Sequence, residues 1–341
     1  MFTCIYCRES TPKVVPSEAH IFPDAMGGVT STKDAVCVDC NGKIEKAFEE
    51  IEIRKFSFFR SIWGIRNRRG NIAGVPAVVD FANREFKVLL DETGQHRTAI
   101  VAVENCEDGN KIYNVVGPSA KVEEKRKEID NRKSALQWRE MDLTATSPPK
   151  SQVVFDTNLT RLTLRRLAAK VAFERWAQIR GSLVACDQQF DVIRGFIIEG
   201  NEQELCSGVL GDSRLLNDIL RFPTGNHAVA ILAHPQNRTL GAFVAFYSLF
   251  YFWVILSSKY QALAPFDDLL LENPQNEKVS NPILRSGVGN LFVNWQDIEK
   301  VYRSNPDKVV QSAKQHGFNK FQAAADTFYD SKEKTKVNEK T

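Results

Sequence analysis

Neither sign of charge is in marked excess. Lysine and arginine total 45 against 42 acidic residues, a net charge of +3. That is too little to imply nucleic-acid binding, so such a case must rest on where the basic residues fall. No internal repeat is present, which argues against a repeat architecture. The residues before Cys4 leave no room for a leader peptide, so an intracellular, cytoplasmic protein is expected. Four of the seven cysteines lie in C-x-x-C pairs, which fits a reduced compartment with a metal site better than a disulfide framework. Charge is missing over a long stretch at residues 239–258. About 20 such residues could span a bilayer as a helix. Its aromatic and β-branched content favours buried strands or a buried helix instead, and no membrane is expected; membrane attachment is the alternative.

What is present is concentrated in the first forty-one residues. Cys4 and Cys7 form one pair, Cys37 and Cys40 the other, and Asn41 follows directly. Two short-loop pairs can set four thiolates at the corners of a tetrahedron, which suits a structural Zn²⁺. Between them lie Glu18, His20, Pro23, Gly27 and Gly28. Residues 13–15 and 20–22 read as extended, Gly27-Gly28 as a turn, and 41–53 as a helix. The expected order is strand, loop, strand, helix.

The remainder divides by character. Residues 54–70 carry Arg54, Lys55, Arg60, Arg66, Arg68 and Arg69 with no acid, interleaved with Phe56, Phe58, Phe59 and Trp63. Such a segment can neutralise phosphates and stack on bases, or its aromatics can simply be core. Strands are expected at 76–81, 86–90, 97–103 and 111–116, then a charged helix at 121–141 and a linker at 147–150. Helices are expected at 159–179, 187–198, 215–220 and 301–329, with apolar strands over 228–256 and a frayed tail at 331–341. The division is 1–53, 54–150, 151–330 and 331–341. Cys106, Cys186 and Cys206 read as buried thiols, and His96, His227, His234 and His316 as turn or core residues.

The pattern C-x2-C, x-E-x-H-I-x-P-x-x-x-G-G, C-x2-C-N resembles the HNH endonuclease family in its zinc-stapled bacterial form, over residues 4 to about 50. Residues 165–174 and 190–200 resemble the C-terminal halves of bacterial HNH proteins. The resemblance implies an α+β protein: a small zinc-bound ββα-metal module followed by a larger mixed α/β region. It implies hydrolysis of DNA phosphodiesters with Mg²⁺ or Mn²⁺, His20 as general base, and Asn41 fixing the loop and ring. The chain departs from the pattern at Ala19, where the family usually has a metal-binding acid. Glu18 shares a strand face with His20, and Glu45 and Glu49 lie at i+4 and i+8 from Asn41. These are the candidate ligands; the alternative is that Glu45 and Glu49 are solvated, with Glu49 beside Lys46. By analogy the family's place in anti-phage systems extends the expectation to a defence effector acting beside a partner such as an ATPase. The competing reading is an inactive zinc module that binds nucleic acid or protein.

Overall fold

The structure is a computed structural model. It describes residues 2–66, 70, 72, 74–81, 84–90, 97, 99–105, 111–117, 119–132, 151–153, 158–201, 205–210, 226–234, 238–260, 266–274 and 283–285. The expected linker at 147–150, the helices at 215–220 and 301–329, the tail, Arg68, Arg69, Cys106, His96 and His316 lie outside these residues, as does the side chain of His234.

Helix and sheet are mixed, and the chain divides into two compact units, residues 1–54 with 157–341, and residues 55–156. The cysteine-bounded module therefore shares one unit with the C-terminal region rather than standing apart from it. Its order is β1 (Pro16–His20), a short 3₁₀ turn at Asp24–Met26, β2 (Ser31–Cys37) and α1 (Val38–Ile44). Residues 13 and 14 bend rather than extend, and the second strand lies beyond Gly27-Gly28, not at 20–22. The strands pair antiparallel, Ala19 against Thr32 and His20 against Ser31, with a bulge between Ser17 and Ala19.

A π turn at Glu45–Glu49 follows α1 and leads into α2 (Glu50–Lys55). The wider turn shifts the phase of the helix. Glu45 is left exposed while Glu49 is buried, so the two glutamates do not share a face as a regular helix would require.

The centre of this unit is α5 (Leu162–Arg180). Twelve of its residues are buried, among them Leu164, Leu167, Val171, Phe173 and Trp176. Its four alanines, Ala168, Ala169, Ala172 and Ala177, are all buried. A helix buried over most of its length belongs in a core, and the charged residues it buries there, Lys170, Glu174 and Arg175, need partners. This one packs against β2, the π turn and the large sheet. Short α6 (Ser182–Ala185) and α7 (Asp191–Glu199) follow, and α7 ends at Gly200 in the left-handed conformation.

The large sheet is antiparallel, in the order β13-β12-β9-β10-β11-β8. Its strands are β8 (Cys206–Leu210), β9 (His227–His234), β10 (Thr239–Phe246), β11 (Phe250–Ser257), β12 (Phe266–Glu272) and β13 (Ile283–Arg285). The uncharged stretch is the hairpin β10–β11. Almost every residue of β10 is buried, which explains the lack of polar alternation. No helix among the described residues is long and apolar enough to cross a membrane.

The second unit contains α3 (Ser57–Ile62), β3 (Val75–Phe81), β4 (Arg84–Leu90), the hairpin β5 (Ile100–Asn105) and β6 (Lys111–Val116), α4 (Ser119–Arg132) and β7 (Ser151–Val153). β3 is paired on both sides, by β4 and β7. Phe56, Phe58 and Phe59 are buried on one another, and Phe59 stacks on Trp63 at 5.8 Å. Phe56, Phe58 and Phe59 thus pack the interior instead of offering faces to bases, and Trp63 is half-buried.

Candidate functional site

The two cysteine pairs meet. The sulfurs of Cys4, Cys7, Cys37 and Cys40 all lie within 4.8 Å of one another, and Cys7 Sγ is 3.9 Å from Cys37 Sγ. A tetrahedral zinc with Zn–S bonds of about 2.3 Å sets sulfurs about 3.8 Å apart, so the geometry fits. Backbone N–H groups already point at sulfur: Cys37 N donates to Cys4 Sγ at 3.4 Å and Cys40 N to Cys37 Sγ at 3.5 Å. Cys4 is drawn down to about 5, first because it accepts a hydrogen bond from Cys40, whose own thiol is held far above the ordinary range by that contact. Partial desolvation by its neighbours pushes Cys7, the exposed member of the four, up to about 11. The four sulfurs present the donor set that a thiolate-binding dication uses once it has displaced their protons.

The first knuckle is backed by the C-terminal region. Arg194 donates from Nε to the Ile5 carbonyl at 2.6 Å and from a terminal nitrogen to the Ala185 carbonyl at 2.9 Å. It also pairs with Asp191, which meets Arg8 as well. Cys186 Sγ donates to the Cys4 carbonyl at 3.5 Å. Cys186 is half-buried and Cys206 fully so, and burial raises both thiols.

His20 ends β1 half-buried, with Ala19 only 1% exposed on the opposite side of the strand. Glu18 is exposed and accepts from Ser31 Oγ at 2.8 Å, beside the His20–Ser31 pair. Asn41 Nδ2 donates to Ser17 Oγ at 3.2 Å, tying the start of the helix to β1.

Glu49 is held elsewhere, 2.9 Å from Lys170 Nζ. Lys170 also lies 3.1 Å from Glu174 and donates to the carbonyl of His20. Tyr6, between the first two cysteines, donates its hydroxyl to Glu174 Oε1 at 3.0 Å. Desolvation pushes Glu174 up to about 7. Lys170 is raised even though burial opposes its charge, because the two glutamates outweigh that cost. Sequence reasoning passed over this cluster. The signal was there: Lys170, Glu174 and Arg175 sit inside an otherwise apolar run, where unpaired charge is not tolerated.

The loop from Ile21 to Thr30 rests on the large sheet. Glu272, 1% exposed, accepts from Thr30 N at 2.9 Å and Val29 N at 3.1 Å. His227 stacks on Phe22 at 4.9 Å. Burial lowers it to about 4, so its ring is neutral; Tyr247 N donates to Nδ1 at 3.3 Å, which leaves Nε2–H to donate to the Met26 carbonyl at 2.9 Å. Tyr247 and Ser248 hold left-handed φ values of 56° and 53°, and the Tyr247 hydroxyl also donates to the Met26 carbonyl, at 3.1 Å. Gly28 passes so close that a Cβ would lie 2.0 Å from the Phe22 carbonyl oxygen.

The basic segment is not uniform. Arg54 is exposed and donates from Nε to the Glu50 carbonyl at 3.1 Å, and Lys55 is half-buried. Arg60 is 7% exposed. Arg66 is exposed and donates to the Gly70 carbonyl at 2.7 Å.

A family model described as HNH endonuclease matches residues 4–57, the stretch that holds both cysteine pairs, His20 and Asn41. The N-terminal module is thus similar to HNH endonucleases, and the match supports a nuclease-type function on nucleic acid with a metal-binding site. No curated protein and no solved structure matches the chain.

Proposed function

We propose that the protein is a metal-dependent endonuclease that hydrolyses DNA phosphodiester bonds, with His20 as general base and Zn²⁺ at Cys4, Cys7, Cys37 and Cys40. The observation that carries this reading is the gathering of four sulfurs within 4.8 Å at the base of a strand pair that ends in His20, inside the segment matched by the HNH model. A neutral imidazole near the solvent can take a proton from the attacking water. Asn41, through Ser17, steadies the strand that carries His20. A bound Mg²⁺ or Mn²⁺ would supply Lewis-acid stabilisation of the phosphate and the leaving oxygen.

Ala19 offers that ion no donor, and Glu49 is committed to Lys170. Glu18 and Glu45 are the remaining carboxylates, and a Mg²⁺ site needs only one or two with water and phosphate oxygens completing it. Arg54, Lys55 and Arg66, with Arg68 and Arg69, would contact the DNA backbone. The cytoplasm is the proposed location, and a defence role beside a partner protein is the proposed setting.

The burial of Ala19 favours a second reading, a zinc module that binds nucleic acid without cutting it. The two separate on supercoiled plasmid. Nicked or linear product with Mg²⁺ or Mn²⁺ and none with EDTA supports the nuclease. A gel shift that weakens with salt, with no product in either metal, supports the binding module and removes the nuclease.

A further inference from the structure

The carbonyl side of His20 is held from outside its own module. Lys170 Nζ is ion-paired with Glu49 at 2.9 Å and with Glu174 at 3.1 Å and donates a hydrogen bond to the His20 carbonyl; the Ile21 carbonyl lies 3.5 Å away. Lys170 is 1% exposed, on the central helix. It is therefore fixed at three points, and the peptide plane leaving His20 is fixed with it. At the far end of the same loop Glu272 captures two successive N–H groups, Val29 and Thr30. Midway, His227 and Tyr247 converge on the Met26 carbonyl. Within the loop, Ile21 N donates to the Thr30 carbonyl, and the N–H groups of Met26, Gly27 and Gly28 close the turn at residues 23–28.

We infer that Lys170 is a positioning residue for His20, and that Lys170 and Glu272 together make the C-terminal region the half of the site that holds the His20–Thr30 loop in its working shape. The inference rests on the nuclease reading only for its catalytic consequence. Lys170 touches a backbone oxygen and acts through His20, not on substrate. The contact directs the Cα–Cβ bond of His20, and small misplacement of a catalytic group costs on the order of 100-fold in rate.

The test uses the full chain carrying Lys170→Met with Glu174→Gln, so that the burial of unpaired charge is limited, and separately Glu272→Gln. Both variants are checked for wild-type zinc content and cooperative melting. Hydrogen exchange is then followed over residues 18–30. Exchange of the Ile21–Thr30 amides at least about tenfold faster in both variants is the expected result. It is accompanied by a fall of about 10–100-fold in the single-turnover cutting rate at saturating plasmid, with unchanged reaction amplitude and half-saturating DNA. Exchange within twofold of wild type in both variants would overturn the inference, and so would a loosened loop with an undiminished rate. A wild-type protein that never cuts removes the nuclease reading, while the exchange arm still decides whether the clamp exists.

Discussion

Glu174 gives the clearest thermodynamic handle on the buried cluster. Its carboxyl is fully buried, accepts from Tyr6 at 3.0 Å, and is raised from 4.5 to about 7 chiefly by desolvation. Between those values the folded protein keeps a proton that the unfolded chain has released. Its contribution is therefore favourable in acid and is lost as pH rises from about 4.5 through 7. With about 1.36 kcal/mol per unit, the loss between pH 5 and pH 8 comes to about 2.5 kcal/mol. Glu174→Gln removes this titration while keeping an acceptor for Tyr6. Placing an amide near Lys170 shifts the whole curve but adds no slope. Titrating groups outside the Lys170 cluster, including His227, are common to both proteins and drop out of the difference. The assay is urea unfolding of wild type and variant at pH 5, 6, 7 and 8, followed by tryptophan fluorescence. The stability of wild type should fall relative to the variant by about 2–3 kcal/mol from pH 5 to 8. Parallel curves would refute the burial argument.

Other perturbations address the metal centre and the loop. Cys37→Ser removes one sulfur of the four and should abolish bound zinc, measured by elemental analysis, and lower the melting temperature with it, since binding energy in such sites is folding energy; full zinc occupancy in the variant would contradict a four-sulfur site. Gly28→Ala must push a Cβ into the Phe22 carbonyl, 2.0 Å away. A loss of about 2 kcal/mol or more is expected in urea unfolding, and a neutral result would mean that the loop can move freely there.

The local elements were legible where their pattern was local. The hairpin β10–β11 followed from its aromatic and β-branched run, α5 from the spacing of Leu164, Leu167 and Val171, and the meeting of four sulfurs from two C-x-x-C pairs. The placement of Glu49 was not legible. The sequence shows no sign of the π turn at Glu45–Glu49, and without it a regular helix puts Asn41, Glu45 and Glu49 on one face. Nor could spacing show that Lys170 and Glu272, 150 and 242 residues beyond their partners, close onto the His20 loop. Buried charges in α5 announce that a partner exists, but its identity is set by tertiary packing. The same holds for the units: the cysteine module looks self-contained in sequence, yet Arg194, Lys170 and Glu272 bind it to the C-terminal region.

The central claim is that His20 is the base of a nuclease, and single-turnover cleavage of supercoiled plasmid by wild type and His20→Ala tests it most directly. Both proteins are matched for zinc content and melting temperature, and each is run with Mg²⁺, Mn²⁺ and EDTA. General-base catalysis contributes about 10²–10⁴ in rate. The account predicts metal-dependent cutting by wild type that falls by that factor in the variant. Equal cutting by the two proteins would contradict it.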